Sequence, residues 1–178
     1  MVARSPSVSV VTPSHTPSGG VNGASESHGN RHLAADVPAG RFMTMYYLIV
    51  DTAARAMRWV GAGHDAAIVY RPDEDRFEEL EGSDIPLGID ATWSFTEHAG
   101  SPWTPGMVVL VGTDGIWESR DPGGRLYGKA ALREVLRRHA GAPAETIIRA
   151  VLDDLERHRA GGPQEDDVTM VVLRVRPG

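Results

Sequence analysis

Two short acidic segments stand directly beside apolar runs, and their chemistry is the most specific in the chain. Gly112-Thr113-Asp114-Gly115 follows the run Met107–Val111, and Glu165-Asp166-Asp167 precedes the run Val168–Val175. A carboxylate beside a buried strand end costs free energy unless something pairs with it, and neither segment carries a Lys or Arg. If the two runs are strands paired antiparallel, the finish of one lies beside the start of the other. Asp114 and Asp166, 52 positions apart, would then converge on one sheet edge. Converging carboxylates attract a hard divalent cation, Mg²⁺ or Mn²⁺. Asp-Gly is also a common turn dipeptide, and Asp-Asp ahead of a strand is compatible with plain solvation. Residue type alone leaves both readings open, and strand pairing is the condition on which the metal reading rests.

The elements that must position these residues are legible from periodicity. Met43–Val50 is apolar or aromatic at nearly every position, which predicts a strand buried on both faces. Asp51–Arg55 reads as a turn into a second strand, Ala56–Gly61. Ala67–Arg71 and Phe77–Leu80 flank the polar turn Pro72-Asp73-Glu74-Asp75. Thr92–His98 is a further candidate strand, and Pro105-Gly106 introduces the buried strand Met107–Gly112. The period then changes. Leu132, Val135, Leu136 and His139 form the stripe of an amphipathic helix over Lys129–His139. Pro143 suits a first helical turn. Ile147, Ile148, Val151, Leu152 and Leu155 mark a second helix, ended by Gly161-Gly162-Pro163. Strands, then two helices, then a strand is an α+β order.

Composition narrows the class. The 178 residues carry 18 Lys+Arg against 24 Asp+Glu, a formal charge of −6, so no basic stripe is available for a nucleic-acid backbone. Cysteine is absent, which excludes disulfides, thiolate zinc sites and cysteine nucleophiles. No apolar run approaches the ~20 residues of a membrane span, and a cytoplasmic location is the expectation. In residues 1–31, Ser, Thr, Pro and Gly fill 16 positions and Leu, Ile and aromatics are absent. That composition predicts a disordered leader ahead of a domain over 32–178. Seven of the acidic residues crowd into Asp73–Asp84, which reads as a solvated surface hairpin.

Taken in order, several segments resemble the C-terminal part of the bacterial PP2C-like (PPM) serine/threonine phosphatases of the SpoIIE/RsbU type. Gly40-Arg41-Phe42-Met43-Thr44-Met45-Tyr46-Tyr47 is similar to the strand opening that half of the domain. Ala62-Gly63-His64-Asp65 resembles an Ala-Gly-His-Asn turn, and Pro86-Leu87-Gly88 a Leu-Pro-Leu-Gly element. Leu110 to Glu118 resembles a Tyr-Thr-Asp-Gly-Val-Thr-Glu segment, and Gln164 to Val172 a closing Asp-Asp-Ile-Thr strand. The resemblance runs over about residues 30–176. It implies an α/β/β/α sandwich of antiparallel sheets, here partial, with two C-terminal helices. It also implies hydrolysis of phosphoserine or phosphothreonine at a binuclear Mn²⁺ or Mg²⁺ centre by in-line attack of water, without a phosphoenzyme.

Carried over residue by residue, the resemblance makes Asp114 and Asp166 metal ligands, with Asp167 as second choice, its family equivalent often being Asn and suited to orienting the ligands. Gly115 is metal-adjacent. His64 takes a structural or substrate-side role, Glu118 a surface or capping role as readily as a catalytic one, and Arg41 reads as a surface arginine beside a strand. The family's Asp-x-Ser-Gly-His-Gly segment, whose Asp bridges the two metals, is not in this sequence; Ser27-His28-Gly29 echoes it without the Asp. A sheet lacking those strands is expected to expose an edge open to self-association. Two functions follow. One is a metal-dependent protein phosphatase, in this chain or in a longer protein of which it is a piece, acting on a phosphoprotein such as an anti-sigma-factor antagonist. The other is a truncated, inactive relative serving as a protein-binding regulatory module.

Overall fold

A computed structural model of the chain describes residues 30, 41–51, 54–82, 84–100 and 102–176. Among the described residues, seven strands and two helices are formed in the order β1 (Met45–Asp51), β2 (Ala56–Ala62), β3 (Ala67–Arg71), β4 (Arg76–Leu80), β5 (His98–Ala99), β6 (Val108–Gly112), α1 (Gly128–His139), α2 (Ala144–Arg159) and β7 (Met170–Arg174). The strands make a three-stranded sheet, β1-β2-β5, and a four-stranded sheet, β4-β3-β6-β7. The fold is α+β with two antiparallel sheets. Backbone packing separates two compact units, one holding 67–79 and 104–176, the other 41–66 and 80–103.

The first unit carries the acidic segments. β6 is the inner strand between β3 and β7, antiparallel to both, and its Val108, Val109 and Leu110 are almost wholly buried. α1 and α2 place Leu132, Val135 and Leu136 with Ile147, Val151 and Leu155 in one apolar cluster, together with Ile68, Leu110 and Val172 of the sheet. The helical stripe read from the sequence is therefore the buried face. Arg137, Arg138 and His139 close the last turn of α1, where cations complement exposed carbonyls. α2 stops where Ala160 turns left-handed at φ 49° and its N–H reaches Glu156 O; Gly161 continues the turn at φ 82°.

The second unit holds β1-β2-β5. Asp51 to Ala56 closes the β1–β2 ladder, and Val60, Ala62, Leu87 and Phe95 make a small core. Three expectations are corrected here. β1 is half-buried along its length and Tyr47 is exposed, so it is not enclosed on both faces. Of Thr92–His98 only His98 enters a strand. Asp90 Oδ1 accepts from the Thr92 N–H and hydroxyl, and Asp84 binds Trp93 and Thr96. Side chains thus take the polar groups a ladder would need. The acidic hairpin is not simply solvated either. Asp84 is buried, Glu78 pairs with Arg71, and Glu79 with Lys129 and Arg133.

Residues 1–29 lie outside the described residues, and the expected leader falls mostly there. Asn30 is buried; its side chain donates to Asp90 O and accepts from Gly88 N–H. Among the described residues no helix is long and apolar enough to cross a membrane.

Candidate metal centre at the end of β6

The strand pairing that the metal reading requires is present. β6 and β7 run antiparallel in a register that ends with Gly112 opposite Met170. Beyond that rung Thr113 continues the contact through both backbone and side chain. Its N–H donates to Thr169 O at 3.0 Å. Its hydroxyl accepts from Thr169 N–H at 3.0 Å and donates to Asp167 O at 2.9 Å. The chain next turns tightly, with Ile116 N–H to Thr113 O, Glu118 N–H to Asp114 O and Ser119 Oγ–H to Gly115 O. Ile116 and Trp117 are buried and anchor that turn in the core, while Lys129 Nζ sits 4.9 Å from the centre of the Trp117 ring.

Gly115 shows how closely the two acidic segments approach. A Cβ built there would lie 2.5 Å from Asp167 O and 3.1 Å from Asp167 C. Any side chain would strike backbone, so the Asp-Gly dipeptide serves the approach of two loops and not only a turn. Asp114-Gly115 and Asp166-Asp167 therefore face one another across the same sheet edge, as antiparallel pairing demands.

The three carboxylates are exposed and stand in no ion pair among the described residues. Asp166 Oδ1 accepts the Asp167 N–H at 2.7 Å. Beside Asp166 opens a pocket of about 150 Å³, lined in part by Gly115, Glu118, Arg120, Arg159 and Glu165. Each arginine has an acidic neighbour, for Arg120 one that lines the same pocket, and Arg159 Nε is buried without a hydrogen-bond partner among the described residues. Arg120 Nε lies 3.8 Å from Glu165 Oε2, and Arg159 reaches Glu156 at 2.6 Å and Gln164 at 3.1 Å. Asp121 holds the loop after Arg120, accepting from Arg125 N–H and Gly123 N–H. Those bonds, Arg125 N–H foremost, keep its carboxyl below the usual range.

Carboxylate oxygens in solvent are the donors Mg²⁺ and Mn²⁺ prefer, and Mg²⁺ commonly uses one or two carboxylates and keeps several waters. In donor type and solvent exposure, Asp114 and Asp166 suit a single hydrated ion. They do not fit a closed cage, because among the described residues no three or more His, Asp or Glu side chains gather to hold a metal.

The remaining candidates stand as follows. His64 follows β2 in the second unit, its Nδ1 2.9 Å from Asp65 O and its ring tilted against Tyr46 at 5.9 Å. Gly63 before it is left-handed at φ 64°, and its N–H donates to Asp84 O. Glu118 and Arg41 are exposed. Sequence reasoning passed over Thr113, whose role needs the strand register, and over Arg120 and Arg159. Arg120 reaches the pocket only through the turn after β6, and Arg159 only through the last turn of α2.

This arrangement of sheets and helices is shared with solved PP2C structures. The SiaA-PP2C domain of Pseudomonas aeruginosa superposes with a TM-score of 0.70 at 22% identity, covering 82% of this chain and 56% of that one. The Mn-presoaked phosphatase domain of the cell fate determinant SpoIIE from Bacillus subtilis gives 0.60 at 18% identity, covering 90% and 69%. The fold is thus PP2C-like. Residues 24–176 match the Stage II sporulation protein E (SpoIIE) family, and the chain belongs to it. Among curated relatives, the phosphoserine phosphatase RsbU of Bacillus subtilis is 26% identical over 145 residues, which cover 82% of this chain and 42% of RsbU. The chain spans less than half the length of the curated relatives it matches.

Proposed function

We propose that this chain carries the metal-binding edge of a SpoIIE-type protein serine/threonine phosphatase, with Asp114 and Asp166 as ligands of a hydrated Mn²⁺ or Mg²⁺ ion. The observation that carries the reading is the meeting of Asp114-Gly115 with Asp166-Asp167 at the end of the β6–β7 ladder. A divalent cation held there would lower the pKa of a bound water and offset charge on a phosphoryl group. The protein's own part is to hold the two carboxylates in register through the β6–β7 ladder and the contact at Gly115. Asp167, whose N–H already binds Asp166 Oδ1, orients that carboxylate. The substrate is a phosphoprotein, by the description of RsbU as a phosphoserine phosphatase, and an anti-sigma-factor antagonist is the proposed member of that class.

A second reading is favoured by one observation: no third acidic or His ligand joins the pair among the described residues. On that reading the chain is a binding module without chemistry, engaging a partner or a second copy. Mn²⁺-dependent hydrolysis of p-nitrophenyl phosphate separates the two. Turnover in the wild type, abolished by Asp114→Asn and by Asp166→Asn, supports the phosphatase. Absence of turnover, with partner binding indifferent to Mn²⁺ and to both substitutions, overturns it in favour of the module.

A further inference from the structure

Thr113 lies between the last rung of the β6–β7 ladder and Asp114, and its hydroxyl is used twice in opposite senses. It accepts from Thr169 N–H at 3.0 Å and donates to Asp167 O at 2.9 Å. A hydroxyl has one proton and two lone pairs, so a single side chain supplies both bonds. Those two bonds tie the backbone on either side of Val168 to the residue preceding Asp114. The Ser119 hydroxyl is spent within its own turn on Gly115 O.

We infer that Thr113 is a positioning residue: its hydroxyl sets the Asp166-Asp167 loop in register with Asp114 and thereby fixes the spacing of the two proposed ligands. The inference rests on the metal reading above. Its backbone N–H would keep the Thr169 O bond in any variant, so the hydroxyl alone accounts for the difference. Val preserves the branched shape and its χ1 preference while deleting both side-chain bonds. Ser keeps both bonds and loses only a methyl group.

The test measures Mn²⁺ binding by titration calorimetry and amide exchange at Thr169 by NMR. The chains compared are the wild type, Thr113→Val, Thr113→Ser and Asp114→Asn. Thr113→Val is expected to weaken Mn²⁺ binding about three- to tenfold, the factor one net hydrogen bond supplies, and to speed Thr169 exchange. Thr113→Ser is expected to match the wild type within about twofold on both readouts. A role in bulk stability alone would lower the melting temperature in both variants without separating them on metal affinity.

Thr113→Val with wild-type affinity or wild-type exchange overturns the inference. If the Val chain does not fold, Thr113→Ser decides: a weakened Mn²⁺ affinity in that variant, with its hydroxyl intact, overturns it equally. A wild type that binds Mn²⁺ no better than Asp114→Asn overturns the metal reading instead, and Thr169 exchange then judges the brace by itself.

Discussion

Replacing Gly115 by Ala tests the close approach of the two acidic loops directly. The added Cβ would sit 2.5 Å from Asp167 O, 3.1 Å from Asp167 C and 3.5 Å from Asp166 C, while comfortable contact for such atoms begins near ~3.5 Å. The loops must part by about 1 Å, and the neighbours are backbone, not the end of a flexible side chain. Overpacking of this kind costs about 1–3 kcal/mol. Gly115 is not in the left-handed region, so Ala also restricts the unfolded chain and returns about 0.4–1 kcal/mol. A net loss of about 1–2 kcal/mol follows, read as a fall in the urea midpoint at constant slope and a drop in Tm of about 2–4 °C per kcal/mol. The displacement also opens the Thr113–Asp167 bond, so Mn²⁺ affinity should fall with stability. A Gly115→Ala chain as stable as the wild type, or more so, would refute the claim that these segments are pressed together.

Two other outcomes are expected. Leu136, fully buried in the cluster between the helices and the sheet, should cost about 2–5 kcal/mol when cut to Ala; a loss below about 1 kcal/mol in urea unfolding would mean that the α1 stripe does not pack as described. Asp75 accepts from Arg137 Nε at 2.7 Å and from Tyr70 OH at 3.0 Å, and the Arg137 bond, then the Tyr70 bond, hold its carboxyl below the ordinary value of 3.8. A depressed folded-state pKa contributes stability above the unfolded value and loses it as pH falls through the folded one. The stability gap between wild type and Asp75→Asn should therefore be full at pH 6 and shrink below about pH 4. A gap independent of pH between about 6 and 2 would show that the carboxylate charge plays no part.

Much of this was legible because apolar runs and turn residues report which strands are interior, and a 3.6-residue stripe reports which face of a helix is covered. β6 and β7 are largely apolar runs next to acidic segments, so the meeting of their acidic ends could be reasoned from pattern once antiparallel pairing was assumed. What pattern does not carry is where a polar side chain finds its partner. Asp84 reads as one more acid in a charged hairpin, yet it is buried because Gly63, Trp93 and Thr96 bring it donors. Thr92–Glu97 alternates like a strand, but the hydrogen bonds of Asp84 and Asp90 compete with a ladder. Thr113 is unremarkable in sequence, since its value comes from a register known only after β7 is placed.

The candidate site joins two kinds of order. Its backbone is fixed by the β6–β7 ladder, by the core anchors Ile116 and Trp117, and by contact at Gly115. Its carboxylates stay in water. Solvation spares the protein the heavy cost of burying unpaired charge. On the proposed metal reading, an incoming cation would meet ligands whose main chain needs no rearrangement. Only side-chain rotamers remain to be ordered, which for Asp is a modest entropy. Two carboxylates fill only part of an Mg²⁺ shell of six, and water completes it. On the proposed reading such a site would bind one ion loosely and exchange it readily, so metal dependence at this edge is expected as a titration against free Mn²⁺ and not as a retained cofactor.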